Sequence, residues 1–214
     1  MKKDGRYDVS DLTETQFEPG SNELVLKNRL GIKSAQEMDV AEARALERAM
    51  SNFIGSYGEG HRFTAADLSE LHKDWLGEIY EWAGKYRQVN ISKDDFPFAT
   101  AAQVPKLMTL FEREVLQRNT PCNFKDRPEI IRALAETHVE LVLIHPFREG
   151  NGRVSRILST LMALQAGLPL LDFGLIAGVK KEAYFAAVQA GMDKSYQPME
   201  RLFAEIIERS VASS

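Results

Sequence analysis

Apolar residues recur every three to four positions along most of this chain, the period of helices with one buried face. From residue 35 onward, Leu46, Met50, Phe53 and Ile54 form one apolar stripe. Further helices of this kind are predicted over residues 64–82, 104–118, 126–142, 154–166, 180–191 and 199–211. The pattern therefore predicts an all-α fold.

Two of these helices carry recognisable start signals. Thr64 stands three residues before Asp67, the spacing of an N-terminal capping pair. Asp126 and Glu129 repeat that spacing, and Pro128 occupies the first turn, where its missing N–H costs nothing. We expect both helices to begin at these residues.

One stretch alternates at the period of a β-strand. Residues 87–92 alternate, residues 93–95 are polar, and residues 96–99 continue the alternation. Pro97 restricts the second arm to a sheet edge, because proline has no N–H for a ladder. We expect one short β-hairpin beside the helices.

Composition and charge limit the number of domains and the classes of partner that we expect. The chain has 214 residues, with 27 Lys+Arg against 31 Asp+Glu and a net charge of −4. One domain accounts for this length, and the slight acidity argues against a dedicated nucleic-acid partner. The single cysteine, Cys122, excludes a disulfide framework and a Cys-rich zinc site. The purest apolar run, residues 141–144, is far too short to span a membrane, so we expect a cytoplasmic protein without a membrane partner.

Residues 145–156, His-Pro-Phe-Arg-Glu-Gly-Asn-Gly-Arg-Val-Ser-Arg, carry the candidate chemistry. Gly150 and Gly152 flank Asn151 where a helix begins, and a helix N-terminus with nearby glycines suits a bound phosphate. Arg153 and Arg156 share one face of the first turn, and arginine binds phosphate through its forked donors.

Two further side chains complete this candidate site. Glu149 is a hard oxygen ligand beside the phosphate position, which suits Mg²⁺. His145 ends the preceding helix, and a histidine facing a phosphate is suited to take a proton from an incoming hydroxyl. Together these residues predict a phosphoryl- or nucleotidyl-transfer site.

This segment resembles the signature of Fic-domain proteins, His-x-Phe-x-(Asp/Glu)-Gly-Asn-Gly-Arg-x-x-Arg, and every fixed position is filled. Residues 17–20, 27–32 and 79–87 also resemble the family. The resemblance implies a helical Fic domain over residues 17–202 with a hairpin flap over its active site. Residues 1–16 would be an extended lead, and residues 203–214 the end of the last helix and a tail.

Most proteins of this family transfer AMP from ATP to a Tyr, Thr or Ser hydroxyl of a target protein and release pyrophosphate. The resemblance implies that His145 is the general base and that Glu149 holds Mg²⁺. It also assigns the nucleotide's phosphates to a set of groups along the motif: Asn151, the backbone of Gly150 and Gly152, Arg153 at the α/β region and Arg156 at the γ-phosphate.

The family's flap docks the target segment as an added strand, and Lys93 and Phe98 match the basic and aromatic positions of that flap. Many relatives carry an inhibitory helix, (Ser/Thr)-x-x-x-Glu-(Gly/Asn), whose glutamate pairs with the second motif arginine. Ser10 and Glu14 have this spacing, but Thr15 follows. We therefore expect any inhibitor to be a separate, small antitoxin-like protein.

The sequence is also compatible with other functions. The motif is compatible with UMP, GMP or phosphocholine transfer, and with a catalytically idle interaction module, although an idle module would be expected to have lost motif residues. A helical DNA-binding regulator is disfavoured by the acidic charge. His138 is interpreted as a core residue, and His61 and His72 as surface or packing residues.

Overall fold

The computed structural model of the chain describes residues 12–93 and 96–213. Helices dominate these ranges, and a small hairpin lies between the second and third. The helices are α1 (Ala35–Ser56), α2 (Ala65–Leu76), α3 (Val104–Phe111), α4 (Gln117–Asn119), α5 (Arg127–Ile144), α6 (Asn151–Gln165), α7 (Gly174–Ala177), α8 (Lys181–Ala190) and α9 (Gln197–Ala212).

The predicted start signals behave as expected at α2 but not fully at α5. Thr64 Oγ1 accepts from the N–H of Asp67 at 3.1 Å, and Asp67 Oδ2 accepts from the N–H of Thr64 at 2.7 Å. The α5 helix begins at Arg127 with Pro128 in its first turn, but Asp126 makes no side-chain cap. The fixed φ of Pro128 therefore helps to start α5 where no cap does.

Helix α5 is the central element and positions the site. It packs against α6 and α9, and also against α3 and α8. Its buried side chains cover most of its circumference, and the remaining face carries Arg132, Glu136, Glu140 and Leu143. Because α6 follows α5 after a short loop, the motif lies at the junction of two tightly packed helices.

The hairpin is shorter than predicted. Strand β1 (Ser92–Lys93) pairs antiparallel with β2 (Phe96–Pro97), with Ser92 opposite Pro97 and Lys93 opposite Phe96. Residues 94 and 95 of the predicted polar turn lie outside the described residues. An N–H of Phe98 donates to the carbonyl of Ile91 at 3.3 Å and extends the pairing beyond the strands.

The predicted stripe of α1 was partly wrong. Phe53 is buried, but Ile54 is 42% exposed, and Leu46 and Met50 are only partly buried. The buried face instead combines two large apolar residues, two alanines and one acid: Met38, Phe53, Ala45, Ala49 and Glu42. Large apolar side chains had been assigned to the core, whereas the close approach of α1 to its neighbours selects alanines.

Other differences lie at element ends. The predicted helix over 104–118 is interrupted by a π-helical turn, Glu112–Leu116, and is preceded by a 3₁₀ turn, Ala101–Gln103. Part of the predicted extended lead is a 3₁₀ turn, Thr13–Thr15, and residues 1–11 lie outside the described residues. Helix α6 begins at Asn151, ahead of residue 154, and α2 ends at Leu76, short of the predicted residue 82. No helix within the described ranges is both long and apolar enough to cross a membrane.

Candidate active site

The loop between α5 and α6 is held by its own sequence. Helix α5 ends at Ile144, and the next residue, His145, adopts a left-handed conformation with φ of 53°. The side-chain amide of Asn151 closes the loop, because its Oδ1 accepts from the N–H of Phe147 and its Nδ2 donates to the carbonyl of Phe147, both at 2.8 Å. The Asn151 side chain is thereby engaged within the loop, which leaves its backbone N–H at the helix start.

The two motif glycines serve different needs. Gly150 has φ of 80°, and a Cβ added there would lie 2.7 Å from Trp75 Cζ3. A Cβ at Gly152 would meet no heavy atom within 4 Å. Gly150 is therefore required by the fold, whereas Gly152 leaves the first turn of α6 open to the neighbouring cleft.

A cleft of about 820 Å³ opens over this loop. The hairpin forms one wall, the motif forms the floor, and α8 contributes the opposite wall. The structure brings all of the residues proposed from the sequence to this cleft: Lys93, Phe98, His145, Glu149, Gly150, Asn151, Gly152, Arg153 and Arg156.

His145 has the protonation state of a general base. Its Nδ1 lies 2.9 Å from the carbonyl of Val142, so Nδ1 carries the proton and Nε2 keeps a lone pair. Burial, reinforced by the positive charges of Arg87 and Lys93, lowers the pKa of His145 to about 4, against the opposing effects of Val142 and Glu149. The imidazole is therefore neutral near pH 7.

The hairpin covers this base from one side. The ring of Phe98 stacks on the imidazole of His145, with centroids 3.6 Å apart and planes at 17°. Lys93 Nζ lies 3.9 Å from the ring centroid of Phe185 in α8. Of the two residues that match the family's flap, Phe98 thus contacts the floor of the cleft and Lys93 contacts the opposite wall.

Arg153 is engaged by protein groups. Its Nη1 lies 2.5 Å from Glu42 Oε2, and its Nη2 lies 3.3 Å from Glu149 Oε1. Its guanidinium also sits 4.7 Å from the ring centroid of Trp75. Two carboxylates and an aromatic face therefore fix the orientation of Arg153.

Arg156 lacks such neutralisation. No carboxylate of residues 12–93 or 96–213 forms an ion pair with it, although it is half-buried in the cleft. Burial lowers the pKa of its guanidinium, which remains charged. A half-buried cation without an anion partner favours an anionic ligand.

Glu149 presents a carboxylate that fits a Mg²⁺ ion. Its side chain is 48% exposed and lines the cleft, with Oε1 accepting from the N–H of Gly150 at 2.8 Å. No group of three or more His, Cys, Asp or Glu in the described ranges would hold a metal by itself. A magnesium ion at Glu149 would therefore require phosphate oxygens as further ligands, which is its usual arrangement.

His72 was interpreted from the sequence as a surface or packing residue, but it also bonds the motif loop. It is fully buried, and it holds the motif loop. Its Nδ1 accepts from the N–H of Gly84 at 2.8 Å, so Nε2 donates to the carbonyl of Glu149 at 3.1 Å. Burial lowers the pKa of His72 to about 4, and its ring stacks on Phe147 at 4.0 Å.

Glu42 was not identified from the sequence. It is 3% exposed, and besides Arg153 it accepts from the hydroxyl of Tyr80 at 2.8 Å. Its position in the sequence could have identified it, because Glu42 follows Met38 by four residues and shares the buried face of α1 with Ala45 and Ala49. A buried acid in such a place requires a cationic or hydrogen-bonding partner.

His138 is confirmed as a core residue. Because Ser159 Oγ donates to the carbonyl of Ser155, His138 Nδ1 donates to Ser159 Oγ at 3.1 Å. Its Nε2 then accepts from the hydroxyl of Tyr184 at 3.0 Å. Burial lowers the pKa of His138 to about 3. This histidine therefore supports Tyr184, which lines the cleft.

Glu14 does not occupy the position of an inhibitory glutamate. Its Oε1 accepts from the N–H of Gln88 at 2.7 Å, and its carbonyl accepts from Arg148 Nε at 2.8 Å. It forms no ion pair with Arg156. Ser10, the other residue of that candidate pair, lies outside the described residues.

Known proteins resemble this chain in sequence. A model of the Fic/DOC family matches residues 62–163. The chain is 27% identical over 188 residues to "Probable protein adenylyltransferase Fic" of Escherichia coli (strain K12), a match that covers 87% of this chain and 89% of that protein. It is 32% identical over 166 residues to "Protein adenylyltransferase VbhT" of Bartonella schoenbuchensis, covering 76% of this chain and 33% of that protein.

A solved structure shows the same architecture. The N-terminal Fic domain of a VirB-translocated Bep effector protein from Bartonella quintana, with bound ADP, has a TM-score of 0.71 and 28% identity. The match covers 90% of this chain and 94% of that one. The residues matched by the family model include the whole segment 145–156, so the chain contains a Fic domain of the Fic/DOC family.

Proposed function

We infer that this chain is a protein adenylyltransferase that transfers AMP from ATP to a hydroxyl side chain of another protein. The hydroxyl oxygen attacks the α-phosphorus and forms a new P–O bond. The bond between the α-phosphorus and the bridging oxygen breaks, and pyrophosphate leaves. The hydroxyl proton passes to Nε2 of His145.

One observation carries this conclusion: a neutral, half-buried imidazole and an arginine with no carboxylate partner among the described residues share one cleft. His145 offers a lone pair on Nε2, and Arg156 offers an uncompensated charge. A base and an anion site together suit attack of a hydroxyl on a phosphate ester. The names of the relatives, which are adenylyltransferases, support AMP as the transferred group.

ATP fits the cleft as the donor. We propose that the backbone N–H groups at the N-terminus of α6 bind the phosphates, and that Arg156 holds the γ-phosphate and Arg153 the α/β region. Glu149 would hold a Mg²⁺ ion that neutralises phosphate charge. In-line geometry would follow from holding both ends of the triphosphate, because such transfers depend mainly on positioning and charge.

The target protein would dock on the hairpin. Strands β1 and β2 form a two-stranded sheet, and an extended segment of the target can pair with the edge of such a sheet as an added strand. The ring of Phe98 stacks on the imidazole of His145, so the hairpin lies beside the proposed general base. We propose a cytoplasmic setting. We also propose control by a separate antitoxin-like protein, because Glu14 does not reach Arg156 and no carboxylate of the described residues pairs with that arginine.

Position-specific labelling of ATP tests this function. Cell lysate with the chain and Mg²⁺ should gain protein-bound label from α-³²P-ATP and none from γ-³²P-ATP. Excess unlabelled UTP, GTP or CDP-choline should not compete. Label from the γ-position would indicate phosphoryl transfer, and label displaced by another donor would replace ATP; either result contradicts the proposal.

A further inference from the structure

Arg87 is a buried arginine that the described residues surround with carbonyl groups. It is 2% exposed and forms no ion pair with a carboxylate of the described ranges. Its Nε donates to the carbonyl of His145 at 2.7 Å, and its Nη1 donates to that of Val89 at 2.7 Å. Its Nη2 donates to Ala99 and, at 3.4 Å, to Ile144.

These four acceptors belong to two separate structures. Val89 and Ala99 lie on the two arms of the hairpin, before β1 and after β2. Ile144 and His145 form the end of α5. The N–H of Arg87 itself donates to the carbonyl of Pro146 at 2.9 Å. One guanidinium therefore joins the two arms of the hairpin where they begin and end. It also joins the hairpin to the segment that carries the proposed general base, His145.

The same contacts constrain the imidazole. His145 sits in a left-handed conformation that non-glycine residues adopt at a cost, so surrounding contacts must hold it there. Arg87 holds its carbonyl, Val142 holds Nδ1, and Phe98 covers the ring. Two of these three restraints come from the hairpin segment.

We propose that Arg87 is a positioning residue that fixes the target-docking hairpin at a set distance from the general base. It does not touch the reacting atoms and acts through His145 and the hairpin arms. A planar fork with several donors can serve four carbonyls at once, which a lysine cannot do. This inference rests on the proposed function for its rate measurement.

The test compares Arg87→Lys and Arg87→Met with wild type. At saturating ATP, in one fixed lysate, we expect label transfer from α-³²P-ATP to fall roughly 10- to 100-fold in both, because a misplacement of about 1 Å is enough for such a loss. The Kd for ATP, measured by calorimetry, should change less than about threefold. Arg118→Met, which removes a surface pair with Glu136, is the matched control and should leave both values unchanged.

An activity-independent readout separates this proposal from the function. In ¹⁵N NMR spectra, assigned with His145→Ala, wild-type His145 should show the Nδ1–H tautomer alone, and Arg87→Met should show a mixture. This holds even if no protein is labelled. Wild-type transfer in both variants, an unchanged tautomer, or a parallel loss of ATP binding and melting temperature would each overturn the positioning role.

Discussion

Arg153 and Arg156 lie one helical turn apart in α6, yet among the described residues only Arg153 has carboxylate partners. Glu42 and Glu149 supply its carboxylates. The charge of Arg156 remains for a ligand, and burial in the cleft strengthens its attraction for phosphate. At the residue scale, the two motif arginines therefore have different roles: Arg153 is held in place, and Arg156 supplies the uncompensated charge.

Replacing Arg156 tests this division. We expect Arg156→Ala to raise the Kd for ATP roughly 10- to 100-fold, since a hydrogen bond to a charged group contributes about 1.5–3 kcal/mol. The melting temperature should stay near that of wild type, because the substitution leaves no carboxylate of residues 12–93 or 96–213 without its partner. Calorimetric titration with ATP measures the effect, and Arg201→Ala, an exposed arginine of α9, is the control. Wild-type affinity in Arg156→Ala would contradict the assignment.

At the element scale, the junction of α5 and α6 depends on two glycines with opposite requirements. We expect Gly150→Ala to destabilise the fold, by about 1–2 kcal/mol for the left-handed conformation and roughly 1–3 kcal/mol for overpacking against Trp75. Thermal unfolding measures this change. A melting temperature equal to that of wild type would show that the close approach to Trp75 is not limiting.

Gly152→Ala is the matched variant in the same loop. Alanine in the first turn of a helix should leave the melting temperature unchanged or raise it slightly, because no neighbour lies within 4 Å. Its methyl group enters the cleft, so the affinity for ATP should fall. Loss of stability with unaltered ATP binding would reverse the roles given to the two glycines.

The sequence predicted this junction well because its information is local. Residues 145–156 are contiguous, and their spacing on one loop and one helical turn fixes which side chains can meet. The positioning groups were missed because they arrive from far along the chain. Arg87 lies 58 residues from His145, His72 lies 77 from Glu149, and Glu42 lies 111 from Arg153.

Their partners explain the difficulty further. Arg87 and His72 contact backbone carbonyls, which every residue carries and which leave no mark in the sequence. The helices themselves were predicted by period, and the family and all-α class were confirmed. The error at Ile54 arose because apolar size was given more weight than the close packing that places Ala45 and Ala49 inside.

At the scale of the whole molecule, the N-terminal segment around Glu14 contacts both the hairpin segment and the motif loop. Glu14 receives the N–H of Gln88, next to Arg87, and its carbonyl receives Arg148 of the motif loop. The segment therefore joins the base of the hairpin to the catalytic loop. This contact favours a supporting role for Glu14 over an inhibitory one.

Glu14→Ala distinguishes the two roles. Removing the carboxylate leaves the N–H of Gln88 without its acceptor, which costs about 1–3 kcal/mol, so we expect a lower melting temperature and slower label transfer from α-³²P-ATP. Glu47→Ala, an exposed acid of α1, should behave like wild type. A sharp rise in labelling by Glu14→Ala would indicate self-inhibition and would contradict control by a separate protein.

We propose that His145 takes the proton of the target hydroxyl during AMP transfer. The most direct measurement is label transfer from α-³²P-ATP by His145→Ala, with the Kd for ATP measured in parallel and His61→Ala as the control. We expect transfer to fall roughly 10²- to 10⁴-fold while the Kd changes less than about twofold. Transfer by His145→Ala at the wild-type rate would contradict the account.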